Sequence, residues 1–183
     1  KADMLQEFVQ AIDDSIKKGV RGIHTAMPGK ILVYDADKGL ATVKPTMKFK
    51  KPDGDTVDYA QITGVPVVFQ QGMGQEATVA FPVKPGDGCL IIIAEQSIDY
   101  WLYGQETETD LAFDLTNAIC IPGLFAKANS VVKAACDQNA VIADVSGTRL
   151  TIKKDGLIQA DCKKFVINAS DSFKVNAGRI DLN

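Results

Sequence analysis

The chain has 183 residues, with 20 lysines and arginines against 23 aspartates and glutamates, and a net charge of −3. Its acidic pI, about 5.2, argues against a dedicated nucleic-acid binder, which normally carries a basic surface. No tract is long and apolar enough to span a membrane, and the start shows no secretory signal. The length fits one ordinary domain plus an appendage.

The first predicted element is an amphipathic helix over residues 4–18. Apolar residues recur there at steps of three and four, and Gly19 is placed to end the helix. An exposed stripe of this kind marks a partner surface, whereas a helix packed on a neighbouring domain would show the same spacing. The apolar stripe consists of Leu5, Phe8, Val9, Ile12 and Ile16.

From Gly22 onward, the pattern changes to short strands separated by turns, with a flexible turn predicted over residues 70–75. About five strands at regular spacing, with one short helix over residues 97–103, favour a small barrel such as an OB fold, or a sandwich. Residues 125–139 are interpreted as a linker. The strands are predicted over residues 30–34, 40–48, 59–63, 65–69, 77–81 and 89–94.

The last quarter, residues 140–183, alternates apolar and polar residues in short runs separated by turn residues. A few short strands with one small apolar face are marginal in water, so something must cover that face. A second sheet of the same chain would do so, and so would identical segments of further copies that close a narrow shaft. The pattern leaves both open, although small residues such as Ala143 and Ala160 suit a thin shaft.

Support for catalytic or metal chemistry is thin. The single histidine, His24, has no nucleophile or ligand partner in sequence, and the cysteines form no CxxC. We therefore interpret His24 as structural and the cysteines as buried free thiols. The cysteines are Cys89, Cys120, Cys136 and Cys162.

Two charged segments are candidate binding sites. An acidic stretch offers oxygen ligands for a hard cation, but a solvated loop explains it more simply. A basic cluster near Tyr34 and Phe49 fits a surface for single-stranded nucleic acid, but the acidic pI argues against it. The Asp35-x-Asp37-x-Gly39 turn lacks the glutamate of a calcium loop, because Thr46 stands there. The acidic residues are Glu106, Glu108, Asp110 and Asp114, and the basic ones are Lys44, Lys48, Lys50 and Lys51.

Five short motifs, taken in order, resemble the N-terminal OB-fold domain of the central spike proteins of contractile-tailed bacteriophages. The resemblance covers residues 22–124, and each motif alone is weak. The motifs are HTAMPGK at residues 24–30, VPVVF at 65–69, FPVKPGDGCL at 81–90, DYW at 99–101 and AICIPGL at 118–124.

This resemblance implies a mainly β protein with an N-terminal helix (residues 1–20), an OB-fold barrel (21–124), a linker (125–139) and a C-terminal trimeric intertwined β-helix (140–183). The implied function is a structural central spike that docks on the tail hub and pierces the target cell envelope, without catalysis. The alternative is a stand-alone OB-fold binding module for nucleic acid or sugar. The expected trimer core is Leu150, Ile152, Ile158, Ile167, Phe173, Val175, Ile180 and Leu182, and the expected hub-docking residues are those of the apolar stripe.

The resemblance also implies partners, a location and the cofactor content. The expected partners are two further copies of the chain, the tail hub or tube, other baseplate proteins and the target envelope, with no nucleic acid. The expected location is the tail baseplate of a virion or phage-derived particle, made in the bacterial cytoplasm. Spikes of this family often end in an apex where an HxH arrangement holds iron. No HxH occurs in this sequence, so we expect no cofactor in this chain.

Overall fold

The computed structural model describes residues 2–51, 54–104 and 111–181, which belong to two compact units, residues 1–126 and residues 127–183. Among the described residues, no helix combines the length and the apolar character needed to cross a membrane. The helices are α1 (Ala2–Arg21), α2 (Asp99–Tyr103) and α3 (Ser130–Gln138). The strands are β1 (Ala26–Asp35), β2 (Leu40–Pro45), β3 (Lys48–Lys50), β4 (Thr56–Asp58), β5 (Ile62–Pro66), β6 (Gln70–Gly72), β7 (Ala77–Val79), β8 (Gly88–Ile93), β9 (Ala118–Pro122), β10 (Ala140–Val145), β11 (Thr148–Lys153) and β12 (Ile158–Asp161).

The first unit is built on a five-stranded antiparallel sheet in the order β5-β2-β1-β8-β9. The sheet curls into a half-barrel, and its two ends approach where the backbone N–H of Val68 donates to the carbonyl oxygen of Cys120 at 2.9 Å. The chain is therefore mainly β with an N-terminal helix, as predicted. The OB-fold barrel predicted over residues 21–124 is matched in part, by this curled half-barrel.

Strict alternation on the central strands explains where the core lies. Every second residue of β2 and most alternate residues of β1 and β8 are buried, and the apolar side chains on that face meet inside the curl. Gly88 opens β8 at a crowded point, because a Cβ there would collide with the backbone carbonyl of Leu124. The most deeply buried side chains are Ile31, Ile91, Val43, Val65, Cys89 and Cys120.

Two small hairpins extend from the half-barrel, β3 with β4 and β6 with β7. The prediction of a flexible turn over residues 70–75 was wrong in part, since β6 occupies Gln70–Gly72 and a 3-10 turn follows over Met73–Gln75. Strand β6 is too short for alternation to reveal it, whereas β7 lies within the strand predicted over residues 77–81.

The second unit contains the antiparallel sheet β10-β11-β12, with α3 packed against β10. The interpretation of residues 125–139 as a linker missed α3, which begins where the Asn129 side chain accepts a hydrogen bond from the N–H of Val132 at 2.9 Å. Residues 162–181 form neither helix nor strand in the single chain. The alternation predicted there has no partner strand among the described residues of this chain.

Candidate interaction surfaces

Helix α1 carries an apolar stripe that the first unit leaves exposed. The five predicted docking residues all lie on this helix, and Phe8 is 62% exposed and Ile16 60% exposed. The polar side is held by pairs four residues apart, Asp13 with Lys17 and Gln10 with Asp14. The hydrogen bond from Asp13 raises the pKa of the Lys17 ammonium. Met4 and Val20 extend the stripe at its two ends.

The sheet of the second unit has two unlike faces. On one face, α3 covers β10, and Thr151 on the neighbouring strand is only 4% exposed. The other face is apolar, and nothing among the described residues of the single chain covers it. We call this second surface the open face; it consists of Val141, Ala143, Val145, Leu150, Ile152, Ile158 and Ala160.

The strand register brings three of the predicted trimer-core residues together on the open face. Ile152 lies opposite Ile158 in the β11–β12 ladder, and Leu150 lies two residues away on the same side of β11. The core residues Ile167, Phe173, Val175 and Ile180 fall within residues 162–181 and are exposed in the single chain. Leu182 lies outside the described residues.

One ion pair stabilises the β10–β11 hairpin on the face of the sheet opposite the open face. The Nε of Arg149 donates to an Asp144 carboxylate oxygen at 2.9 Å, and the N–H of Gly147 in the turn donates to the other oxygen at 3.2 Å. The Arg149 hydrogen bond, followed by that of Gly147, lowers the pKa of the Asp144 carboxyl. The pair joins residues directly opposite each other in the ladder, so it fixes the register that creates the open face.

His24, which was considered for catalysis, and Asp114, which was considered for cation binding, both have structural surroundings. His24 is half-buried, with its ring edge-on to Tyr59 at 5.9 Å, and its backbone N–H donates to the carbonyl oxygen of Phe113 at 3.2 Å. The Asp114 carboxylate accepts from the backbone N–H of Thr116 at 2.9 Å and from its hydroxyl at 2.8 Å. Hydrogen bonds from Thr116 lower the pKa of Asp114, with a smaller contribution from His24.

The interpretation of all four cysteines as buried was wrong for two of them. Cys89 and Cys120 are fully buried on neighbouring strands, whereas Cys136 and Cys162 are exposed in the single chain. The Cys89 side chain and burial together raise the pKa of the Cys120 thiol, which keeps it protonated and unreactive. The exposed pair was misjudged because apolar neighbours in sequence do not establish burial.

The acidic candidates assemble no metal site within the part of the chain that the structure describes. Asp35 stabilises the turn that follows it, because its carboxylate accepts hydrogen bonds from the backbone N–H groups of Asp37 at 3.1 Å and Lys38 at 3.2 Å. These bonds, led by that from Lys38, lower the pKa of Asp35. Glu106, Glu108 and Asp110 lie outside the described residues.

The structure adds a feature that the sequence only hinted at. A cavity of about 460 Å³, the basic-aromatic groove, lies between the end of α1 and the β3–β4 hairpin. Three of the four lysines of the basic cluster line it, while the fourth, Lys44, pairs with Asp58 at 3.4 Å. The groove is lined by Arg21, Lys48, Phe49, Lys50, Lys51 and Tyr59. Arg21 is distant in sequence from the lysines, so only the fold reveals its proximity to them.

The comparison with known proteins concerns the first unit. A search of curated proteins found no match. The model of one protein family, described as the phage protein Gp138 N-terminal domain, matches residues 27–123, which is more than half of the chain and runs from β1 to the end of β9. The match thus covers the five-stranded half-barrel and the hairpins between its strands. The chain belongs to the family of phage proteins that carry the Gp138 N-terminal domain.

Proposed function

We propose that this phage protein is the central spike of a contractile tail or of a phage-derived injection particle, which docks on the tail hub and pierces the target cell envelope. The observation that carries the proposal is the open face of the second unit. Val141 is 71% exposed and Ile158 68% exposed there, on a sheet in which α3 packs against β10. Contiguous exposed apolar surface of this kind marks an interaction site.

Identical copies are the partner that fits this face best under the proposal. The alternation continues through residues 162–181 without forming strands, so each chain offers both an uncovered sheet and apolar segments that lack partner strands. Three chains related by a three-fold axis would supply partner strands to one another and bury Ile167, Phe173, Val175 and Ile180 in a common interior. Closing the assembly also removes the exposed strand edges that otherwise invite aggregation.

In the same proposal, the α1 stripe is the docking surface for the tail hub. Leu5, Phe8, Val9, Ile12 and Ile16 repeat at the three- and four-residue steps by which a helix fills an apolar groove on a partner. The protein works as a mechanical part with no reaction to catalyse and no cofactor in this chain. The titratable groups Asp35, Asp114 and Asp144 serve turns and hairpins, which supports this mechanical role. The proposed setting is the baseplate of the virion or particle.

The test of this function compares the full chain with a chain ending at Ala126, the end of the first unit. The full chain is expected to sediment as a trimer, and the shortened chain is expected to trimerise less stably because it lacks the open face. Equal stability of the two trimers would locate the contact in the first unit and contradict a shaft. A stand-alone OB-type binding module, the competing function, predicts monomers in both cases.

A separate deletion tests the docking part of the proposal. Removing residues 1–18 is expected to leave the trimer folded and to reduce incorporation into the particle that carries the protein. Normal incorporation of the shortened chain would refute the docking role of α1 and leave the shaft untouched. A deletion that also abolishes the trimer would show that α1 assembles the copies of the chain and does not dock them.

A further inference from the structure

The basic-aromatic groove concentrates positive charge in a chain that is acidic overall. Four of its six lining residues are cations, whereas the whole chain has a net charge of −3. Lys48 is 3.8 Å from Asp58, and among the described residues no ion pair involves Arg21, Lys50 or Lys51. Charges more than about 8 Å away are largely screened at physiological salt, so the local sign decides what the groove attracts.

Strand geometry sorts the lining residues into two sets. Side chains alternate along β3, so Phe49 lies on one face of the hairpin, and Lys48 and Lys50 lie on the other. Phe49 lies opposite Val57 in the ladder, which places Tyr59 on the same face as Phe49. Arg21, at the end of α1, and Lys51, directly after β3, complete the lining of the cavity.

The two aromatic rings that line the groove pack against each other. The Phe49 and Tyr59 centroids are 6.5 Å apart at an interplanar angle of 79°, and the His24 ring also packs edge-on against Tyr59. Phe49 remains 41% exposed, so part of its ring is open to a ligand. Edge-to-face packing holds the two rings in place, and the exposed part of the Phe49 ring can contact a flat group.

We propose that the groove binds a nucleotide, with its phosphate between Arg21 and Lys51 and its base against Phe49. A bare anion would use the cations and leave the exposed ring unused, and an acidic peptide would do the same. A phosphate joined to a planar base would pair with the cations and stack on the ring. Proteins hold single-stranded nucleic acid in this way without reading its sequence. The site is independent of the proposed trimer, because all six lining residues belong to the first unit.

The test uses the full chain and a short fluorescent oligothymidylate, with binding followed by anisotropy. Phe49→Ala is expected to weaken binding about fivefold or more, which is typical of the removal of one stacked base. The double change Arg21→Ala and Lys51→Ala is expected to weaken binding and to reduce the slope of log affinity against log salt by about 0.7 for each phosphate that the variant no longer neutralises. Tyr100→Ala and Lys30→Ala, on exposed residues outside the groove, are the matched controls and should bind as the unchanged chain does.

Competition experiments identify the chemistry that the groove selects. Thymidine monophosphate should displace the oligonucleotide, while inorganic phosphate and polyglutamate should do so only at much higher concentration. Equal displacement by inorganic phosphate would overturn the role of the ring, and equal displacement by polyglutamate would identify an acidic-protein site. Absence of binding, or binding that Phe49→Ala leaves unchanged in a variant with an unaltered circular dichroism spectrum, would overturn the proposal.

Discussion

Ile158 offers a sharp test of the open face, because a single chain and a trimer predict different outcomes for Ile158→Asp. The side chain is 68% exposed in the single chain, on the edge strand β12. In a monomer, an aspartate there remains solvated, and the destabilisation is limited to the roughly one-third of the side chain that is buried, about 0.5–1 kcal/mol. The fold of a monomer should therefore survive the change.

In the proposed trimer, the substitution changes three copies of residue 158 that face the same interior. Removing the exposed 68% of Ile158 from water contributes about 1–2 kcal/mol per copy and about 3–6 kcal/mol per trimer, at about 1.5–3 kcal/mol for full burial. The variant loses this contribution and also confines three like charges, each of which costs several kcal/mol when poorly solvated. We expect Ile158→Asp to abolish the trimer at micromolar concentration.

The assay is sedimentation velocity with circular dichroism on the same samples. Lys154→Asp is the matched control, since it introduces the same carboxylate on an exposed residue just beyond β11, and it should remain trimeric. A trimer of unchanged stability in the Ile158→Asp variant would refute the assignment of the open face to the interface.

Three further predictions address other parts of the molecule. The pKa of Asp144 is lower in the folded chain than its unfolded value of about 3.9, so its contribution to stability is present above that pH and is lost as pH falls through the folded pKa. Asp144→Asn should therefore lower the thermal midpoint at pH near 7 and leave it equal to that of the unchanged chain well below pH 4. A constant difference in thermal midpoint across pH would contradict the ion pair. Gly88→Ala should lower the free energy of unfolding by about 1–3 kcal/mol or more in a denaturant titration, because the new Cβ meets the Leu124 carbonyl. Gly178→Ala is the control and should have little effect, because a Cβ there meets open space. Equal effects of the two changes would show that the crowding at Gly88 is relieved at no cost. His24→Ala should retain assembly and particle function, and complete loss of function with intact assembly would reveal a site at His24.

The elements that sequence reasoning found are those in which one pattern repeats over enough residues. Helix α1 shows its apolar stripe over about three turns, from Leu5 to Ile16, and β8 is an almost continuous apolar run within the half-barrel, where it lies between β1 and β9. Strand β6 has only three residues, too few for alternation to stand out, whereas β7 lies within the strand predicted over residues 77–81. Helix α3 was missed because its half-buried side contains small residues, two of them alanines, which leave little periodic signal.

The candidate surfaces differ in how far they could be predicted from the sequence. The open face was predicted in part, since alternation selects Leu150, Ile152 and Ile158 before any register is known. The face opposite the open face was not predicted, because it depends on the contact of α3 with β10. For the basic-aromatic groove, the lysine cluster and Phe49 were identified from the sequence, but Arg21 was not, because only the fold brings it to the β3–β4 hairpin. Residues 162–181 alternate as strands do but form no strand in one chain, which is expected where partner strands come from other copies.

The native mass of the unmodified chain tests most directly whether the open face is an interface between three copies. Three copies of a 19.7-kDa chain weigh about 59 kDa, and we expect this species to dominate at micromolar concentration. A chain that remains at 19.7 kDa under those conditions would contradict the shared interior and the spike function together.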